Sequence, residues 1–365
     1  MKGIFFGKNH QQGFTVIELL VAAVLGLFVL GSVLHIFSET KKSYRVQDAL
    51  ARLQENGQFA LELLAKDIRM AGYLGCSSKV QLKNTLKTPL DFIYDFAVPL
   101  QGFDATSATA WTPAITTAIA AAIPSAIGGS DIITLRRADD QNFIVKNHAL
   151  PTASLVLETS ASIPAATKAT VINLQSADFL NDEAINNCAT AVVSDCSSAA
   201  VFQITAITTA SMTLAHANAT GTGSCTPKND TDDLGKTYVN GLVYPMNTIT
   251  YYIRANPSSQ PALYRKVGKN YAEELVEGIE QMQVLYGVDT DATADGVANY
   301  YVKASSVTEW AKVTSVRVSV LAVSLDDNLS DMSVAYVFDG SSKTSGDKRL
   351  RRGFTSTIAI RNRQS

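Results

Sequence analysis

Apolar residues fill nearly every position from Val16 to Leu34, and after that they thin to every third or fourth position. The unbroken run has about the ~20 residues a helix needs to cross a bilayer. Beyond it, Val46, Leu50, Leu53, Gly57, Ala60, Leu64, Ile68 and Ala71 recur at intervals of three or four, which places them on one helical face. Lys42, Arg45, Asp48, Arg52, Glu55 and Lys66 fall mostly elsewhere. Gly72 suits a C-cap. The pattern therefore predicts one helix from Phe14 to Ala71, on the order of 85 Å long at 1.5 Å per residue. Residues 14–37 would lie in a membrane or filament core, and residues 38–72 would pack on a domain. The stripe does not continue as heptads, which argues against a coiled-coil partner for the second half.

The period then changes. Residues 73–130 are Ala/Thr-biased with Pro and Gly breaks, as in "ATSATAWTPAITTAIAAAIPSAIGG", and predict an irregular connection. From residue 131 onward, β-branched runs separated by turns predict strands: "DIITLRR", "NFIVKN", "SLVLET", "ATVINL", "VFQITAI", "MTLAH", "TITYYIRA", "ALYRKV", "SVRVSVLAVS" and "TSTIAIRN". In "SVRVSVLAVS", Val316, Val318, Val320 and Ala322 alternate with Arg317 and Ser319, the pattern of a sheet with one packed face and one wet face. The expected architecture is α+β: a long N-terminal helix packed on an antiparallel, β-rich domain spanning 131–365.

Composition narrows the function. With 365 residues, 46% of them hydrophobic, the chain can build a substantial core, and a formal net charge of -2 gives no global field for nucleic acid. Only 4 His are present, and no zinc-ligand spacing, nucleophile motif or phosphate loop occurs, so an enzyme is not expected. Cys76, Cys188, Cys196 and Cys225 form no C-x-x-C pair. Behind a membrane-targeting segment they read as two disulfides in an oxidising compartment. The seven residues between Cys188 and Cys196 allow local closure, which would leave Cys76 to pair with Cys225 and tie the helix end to the β domain; the other pairings stay open.

The apolar run carries one anomaly, Glu18. Its acid is costly in a membrane helix and demands a reason. Basic residues Lys2 and Lys8 precede the run, and "SVLHIFSETKK" after it offers a poor signal-peptidase site. Cleavage after Gly13 would make Phe14 the new N-terminus, with Glu18 one turn along. In a stack of such helices, Glu18 of one subunit would pair with the terminal amine of the next, fixing register. Lys41, Lys42 and Arg45 follow the segment, so flanking charge does not decide orientation; the cysteines place the domain outside the cytoplasm.

Leader, Gly13, Phe14, Glu18 and the apolar run together resemble the type IV prepilin signature, carried by "GFTVIELL". "SYRVQDALARLQENGQFALELLAKDIRMAGYLGC", "EELVEGIEQMQVLYGVD" and "RRGFTSTIAIRNR" are similar to the PilW family of minor pilins. The resemblance implies removal of residues 1–13 by an inner-membrane prepilin peptidase and N-methylation of Phe14. It also implies an inner-membrane prepilin with its C-terminal domain in the periplasm, which later enters the pilus filament at the cell surface. The implied role is to prime or join pilus assembly near the filament tip. The implied partners are other minor and major pilins, the inner-membrane assembly platform and a tip adhesin. The rival readings are a type II secretion pseudopilin and a membrane-anchored periplasmic enzyme or binding protein. Gly26 and Gly31 stand in the apolar run, where many pilins have a proline.

Two further clusters invite chemistry. "DTDATADG" sets Asp289, Asp291 and Asp295 in a loop, recalling the alternating acids of calcium sites, although Thr293 and Tyr300 stand where such a loop wants acids. A solvated turn is the expected role, with calcium the alternative and no other cofactor. Lys348, Arg349, Arg351, Arg352, Arg361 and Arg363 form a basic cluster without aromatic interleaving, which is read as a solvated turn before the last strand or as salt bridges to a neighbouring pilin, and not as a nucleic-acid site.

Overall fold

The structure is a computed structural model and describes residues 15–76, 80–87, 91–158, 188–208, 211–218, 227–293 and 295–363. The expected strand "ATVINL" lies outside these residues. One helix, α1 (Val16–Arg69), begins the fold. Its last turn carries Lys66 and Arg69, which suit the negative end of the helix dipole. Gly72 follows at φ +74°, and its N–H donates to Arg136 O at 2.9 Å.

Residues 73–130, expected to be irregular, contain β1 (Gln81–Asn84), β2 (Leu100–Ala105), β3 (Trp111–Thr112) and the short helix α2 (Thr117–Ala122). They also bury Leu86, Phe92, Tyr94, Phe96, Leu100 and Phe103. No local period marked these elements because their order comes from distant partners. β1, for example, pairs in parallel with a strand more than a hundred residues on.

The middle of the chain forms β4 (Ile132–Ala138), β5 (Phe143–Asn147), β6 (Leu155–Leu157), β7 (Thr190–Ser194), β8 (Ser198–Gln203), β9 (Ala206–Thr208) and β10 (Thr213–Ala215). The rest forms β11 (Leu242–Ala255), β12 (Pro261–Val267), β13 (Glu273–Glu277), β14 (Ile279–Val288), β15 (Tyr300–Val302), β16 (Val313–Val323), β17 (Ala335–Phe338), β18 (Ser341–Thr344) and β19 (Arg351–Ala359).

Two large sheets and the separate β17–β18 hairpin account for these strands. β15-β14-β16-β19 is antiparallel and packs on the second half of α1. There Leu53, Ala60, Leu64 and Ile68 meet Val316, Val318, Val320 and Ile358 in one core. The inward valines are the ones the alternation predicts. On the helix, burial begins only at Leu53; Leu50 is still 37% exposed. Gly57 is required where Phe354 crosses the helix, since a Cβ there would fall 2.3 Å from the ring.

The larger sheet is spined by β11, whose 14 residues serve two lobes. Its later half pairs with β4 and β12 and turns Ile249, Tyr251 and Ile253 toward the α1 core. Its first half pairs with β7 and β5 and belongs to a second lobe with its own core of Val145, Leu155, Val193, Phe202 and Val243. The fold is thus α+β, as the pattern predicts, and pilin-like, as the resemblance implies.

Candidate functional site in the N-terminal helix

Gly13 and Phe14 lie outside the described residues. Description begins at Thr15, in extended conformation (φ -77°, ψ 150°), which is the N-cap of α1. Its hydroxyl accepts the Glu18 N–H at 3.3 Å, and its own N–H donates to Glu18 Oε2 at 3.1 Å. The Thr15 hydroxyl donates to the same oxygen at 3.1 Å. This is a capping box, which pairs helix-end donors that have no partner within the helix. The T-x-x-E spacing of Thr15 and Glu18 was in the sequence as its signal and was not read as one. Within one chain, Glu18 therefore helps start the helix. Val16, Ile17, Leu20, Phe28 and Phe37 are all more than half exposed, and the segment is long and apolar enough to cross a membrane.

The helix fastens to its domain through a buried polar cluster that the sequence reading also missed. Asp67 sits on the apolar face, 3% exposed. Arg137 Nη2 donates to its Oδ1 at 3.0 Å, and the Tyr251 hydroxyl donates to its Oδ2 at 2.6 Å. Arg136, the preceding residue of β4, faces the other side and is also buried, donating to Val98 O at 2.7 Å and to Gln101 Oε1 at 3.1 Å. Two arginines inside a strand-like run, "DIITLRR", were the available signal: they need buried acceptors if that strand is central.

The disulfides need a correction. Cys76 pairs with Cys196, Cα–Cα 5.2 Å, and not with Cys225; Cys196 accordingly does not pair with Cys188. Cys196 stands in the turn between β7 and β8 at φ 67°, whereas Cys188 precedes β7. The five extended residues of β7 at about 3.3 Å each carry Cys188 away from that turn. Cys188 is itself disulfide-bonded, and Cys225 lies outside the described residues. The bridge still ties the helix end to the β domain, as expected, but through the β7–β8 turn.

The acidic loop does converge: one oxygen from each of Asp289, Asp291 and Asp295 lies within 4.8 Å of the others. Asp289 is buried, and its two oxygens accept the N–H groups of Asp291 (3.1 Å) and Gly296 (2.9 Å). Asp291 accepts Asn299 Nδ2 at 3.2 Å, and Asp295 accepts the Val297 N–H at 2.8 Å. The oxygen set suits a hard divalent cation, and the same oxygens hold the loop's own backbone.

The basic cluster is largely used within the fold. Arg351 forks onto Glu280 (2.6 and 2.9 Å) and Asp347 (2.5 and 2.9 Å). Arg349 donates to Gln260 at 2.8 Å, and Arg352 lies over the Phe354 ring. His148 and His216 are buried side by side in the second lobe, with ring centroids 6.1 Å apart.

An apolar membrane-length helix that runs unbroken into a sheet-packed domain defines the class: a pilin-like protein. The comparisons narrow it. Residues 8–34 match the prokaryotic N-terminal methylation motif, and residues 250–362 match the type IV pilus-assembly protein W family, PilW. The chain joins the two as a PilW-family prepilin does. The PilW match spans the later half of β11 through β19, which supply most of the strand residues of the α1 core, and ends at Asn362, which donates to Ala71 O at 3.4 Å. No curated protein and no solved structure matches the chain.

Proposed function

We propose that this type IV pilin is a minor pilin that primes or joins pilus assembly near the filament tip. The observation that supports it is the joining of the methylation motif, through one continuous helix, to a PilW-type sheet. In this reading, prepilin peptidase cuts between Gly13 and Phe14 and the new amine is methylated. Residues 14–37 then hold the protein in the inner membrane, with the domain in the periplasm. On entry into the filament, Glu18 exchanges its contacts with Thr15 for the terminal amine of a neighbouring pilin. The exchange replaces two neutral donors with a charged one, which strengthens the bond in an apolar core. Other minor and major pilins, the assembly platform and a tip adhesin are the partners. The role is structural and not enzymatic.

The test has two arms. Gly13→Val should abolish trimming, read by intact mass; a mutant still trimmed at Phe14 would overturn the cleavage site. Glu18→Ala should leave the protein in the membrane, because losing an acid eases insertion, yet lower its incorporation into sheared pili. Normal incorporation of that mutant would remove the pairing role.

A further inference from the structure

The segment joining β16 to β19 hangs below the sheet along α1. At helix position 56, Asn56 donates to Glu277 O at 2.9 Å, and at position 57 the helix meets Phe354 of β19. From the end of β16 the chain descends the helix. Asp326 reaches Arg45 at 4.0 Å, and Asp331 reaches Lys42 Nζ at 2.5 Å. The β17–β18 hairpin follows, and Lys348 returns its N–H to Asp327 at 3.1 Å. Among the described residues, Lys42–Asp331 is the ion pair between α1 and the domain that lies nearest the apolar segment.

Helix rise fixes its height. Residues 16–37 span about 33 Å, close to a hydrocarbon core of about 30 Å; head groups add roughly 5–7 Å on each side. Lys42 lies five residues beyond Phe37, about 7.5 Å along the helix. Lys42 and Asp331 are therefore held at the outer edge of the head-group layer. Its neighbour Met332 is 72% exposed, and Val337 on the hairpin is 67% exposed. With the helix cations that pair to it, the charges at the lip are mixed: Lys42, Arg45 and Lys343 against Asp326, Asp327, Asp331 and Asp339. A mixed surface is not steered by field, so the apolar side chains carry the contact.

We infer that the 326–344 lip is a membrane-resting surface, with Met332 entering the head-group layer of the bilayer that α1 crosses. The occupant is lipid, because the apolar segment continuous with the same helix brings the bilayer to this height. A flexible thioether suits an irregular interface. The contact seats the domain on the bilayer while the protein waits, and extraction into a filament breaks it. The inference rests on the anchoring of residues 16–37 and holds for either orientation across the membrane.

The test uses the full chain in phosphatidylethanolamine/phosphatidylglycerol vesicles, with an environment-sensitive fluorophore placed in turn at Phe28→Cys, Met332→Cys and Tyr271→Cys. All three side chains are exposed. Tyr271 serves as the distant control: it follows β12, whose Arg265 lies beside Asp67 near the far end of α1. The expected result is quenching at 28 by lipids spin-labelled deep in the chain, quenching at 332 by lipids labelled at the head group, and none at 271. A label at 28 that is quenched while 332 behaves like 271 overturns the lip and leaves the anchor standing. A label at 28 that escapes quenching overturns the anchor and the lip with it. An apolar emission at 332 without head-group quenching, lost on diluting protein in lipid, assigns the lip to a neighbouring chain and also overturns the proposal.

Discussion

Asp67 shows what a single residue decides here. It lies on the helix stripe that meets the sheet, a position where an unpaired carboxylate would be expelled. Arg137 and Tyr251 make it tolerable. Removing it leaves the buried Arg137 charge with the Ala138 carbonyl, at 3.0 Å, and one exposed acid, Asp140, at 3.5 Å. Asp67→Ala should therefore cost about 3–5 kcal/mol, a melting shift on the order of 10 °C for the full chain in detergent. Asp48→Ala, which breaks the exposed pair with Arg52, should cost under about 1 kcal/mol. Equal shifts for the two would refute the buried-pair account. The stripe was legible in the sequence, but this acid was not, because its two donors come from residues 70 and 184 positions away. Asp289 was singled out for its spacing, and the structure adds that both its oxygens hold backbone N–H groups. Because the protein itself satisfies them, millimolar calcium should leave the melting temperature unmoved. A rise that chelator reverses would show the three acids to be a cation site instead.

Among the elements, α1 and the strands that pack on it were readable because their periods are local. The sheet valines of β16 alternate over a long stretch, and the helix carries its apolar face for nearly five turns. The β7–β8 hairpin misled the cysteine reading because loop length alone ignores an intervening strand. Its turn instead delivers Cys196 to Cys76, at a sequence separation of 120. A non-reducing peptide map should therefore show a Cys76–Cys196 peptide and a Cys188–Cys225 peptide. A Cys188–Cys196 peptide would contradict the hairpin register. Closing so long a loop restricts the unfolded chain by about 4–5 kcal/mol in the entropic account, so Cys76→Ser should loosen the second lobe more than it does the α1 core.

At the scale of the whole molecule, the PilW match covers most of the strands packed on α1, while the second lobe is held by β11 and the Cys76–Cys196 bridge. The two parts also differ in their response to acid. In the second lobe, burial lowers the pKa of His148 and of His216. For His148, the neighbouring His216 adds to the shift, against the Ala153 carbonyl. For His216, the Ala153 carbonyl and Asp232 oppose it. His148 Nδ1 accepts the Tyr238 N–H at 3.0 Å, a bond its protonated form cannot make. A lowered folded pKa means the unfolded chain binds more protons, so this stability is present above about pH 6.5 and is lost as pH falls through the folded values. In the α1-side core, burial raises Asp131 to about 6, against the N–H groups of Ala105 and Val284 that its oxygens accept. That group has the opposite sign: its contribution is complete below about pH 4 and fades as pH rises through 6. Lowering pH from 7.5 to 5.5 should therefore open the second lobe first. Limited proteolysis of the full chain should cut several-fold faster within 139–245 at pH 5.5, with little change within 250–362. His216→Phe, which keeps an apolar ring beside Phe202, should blunt that acceleration. Acid cleavage spread evenly over both parts, or unchanged by the substitution, would remove the histidine pair as its cause.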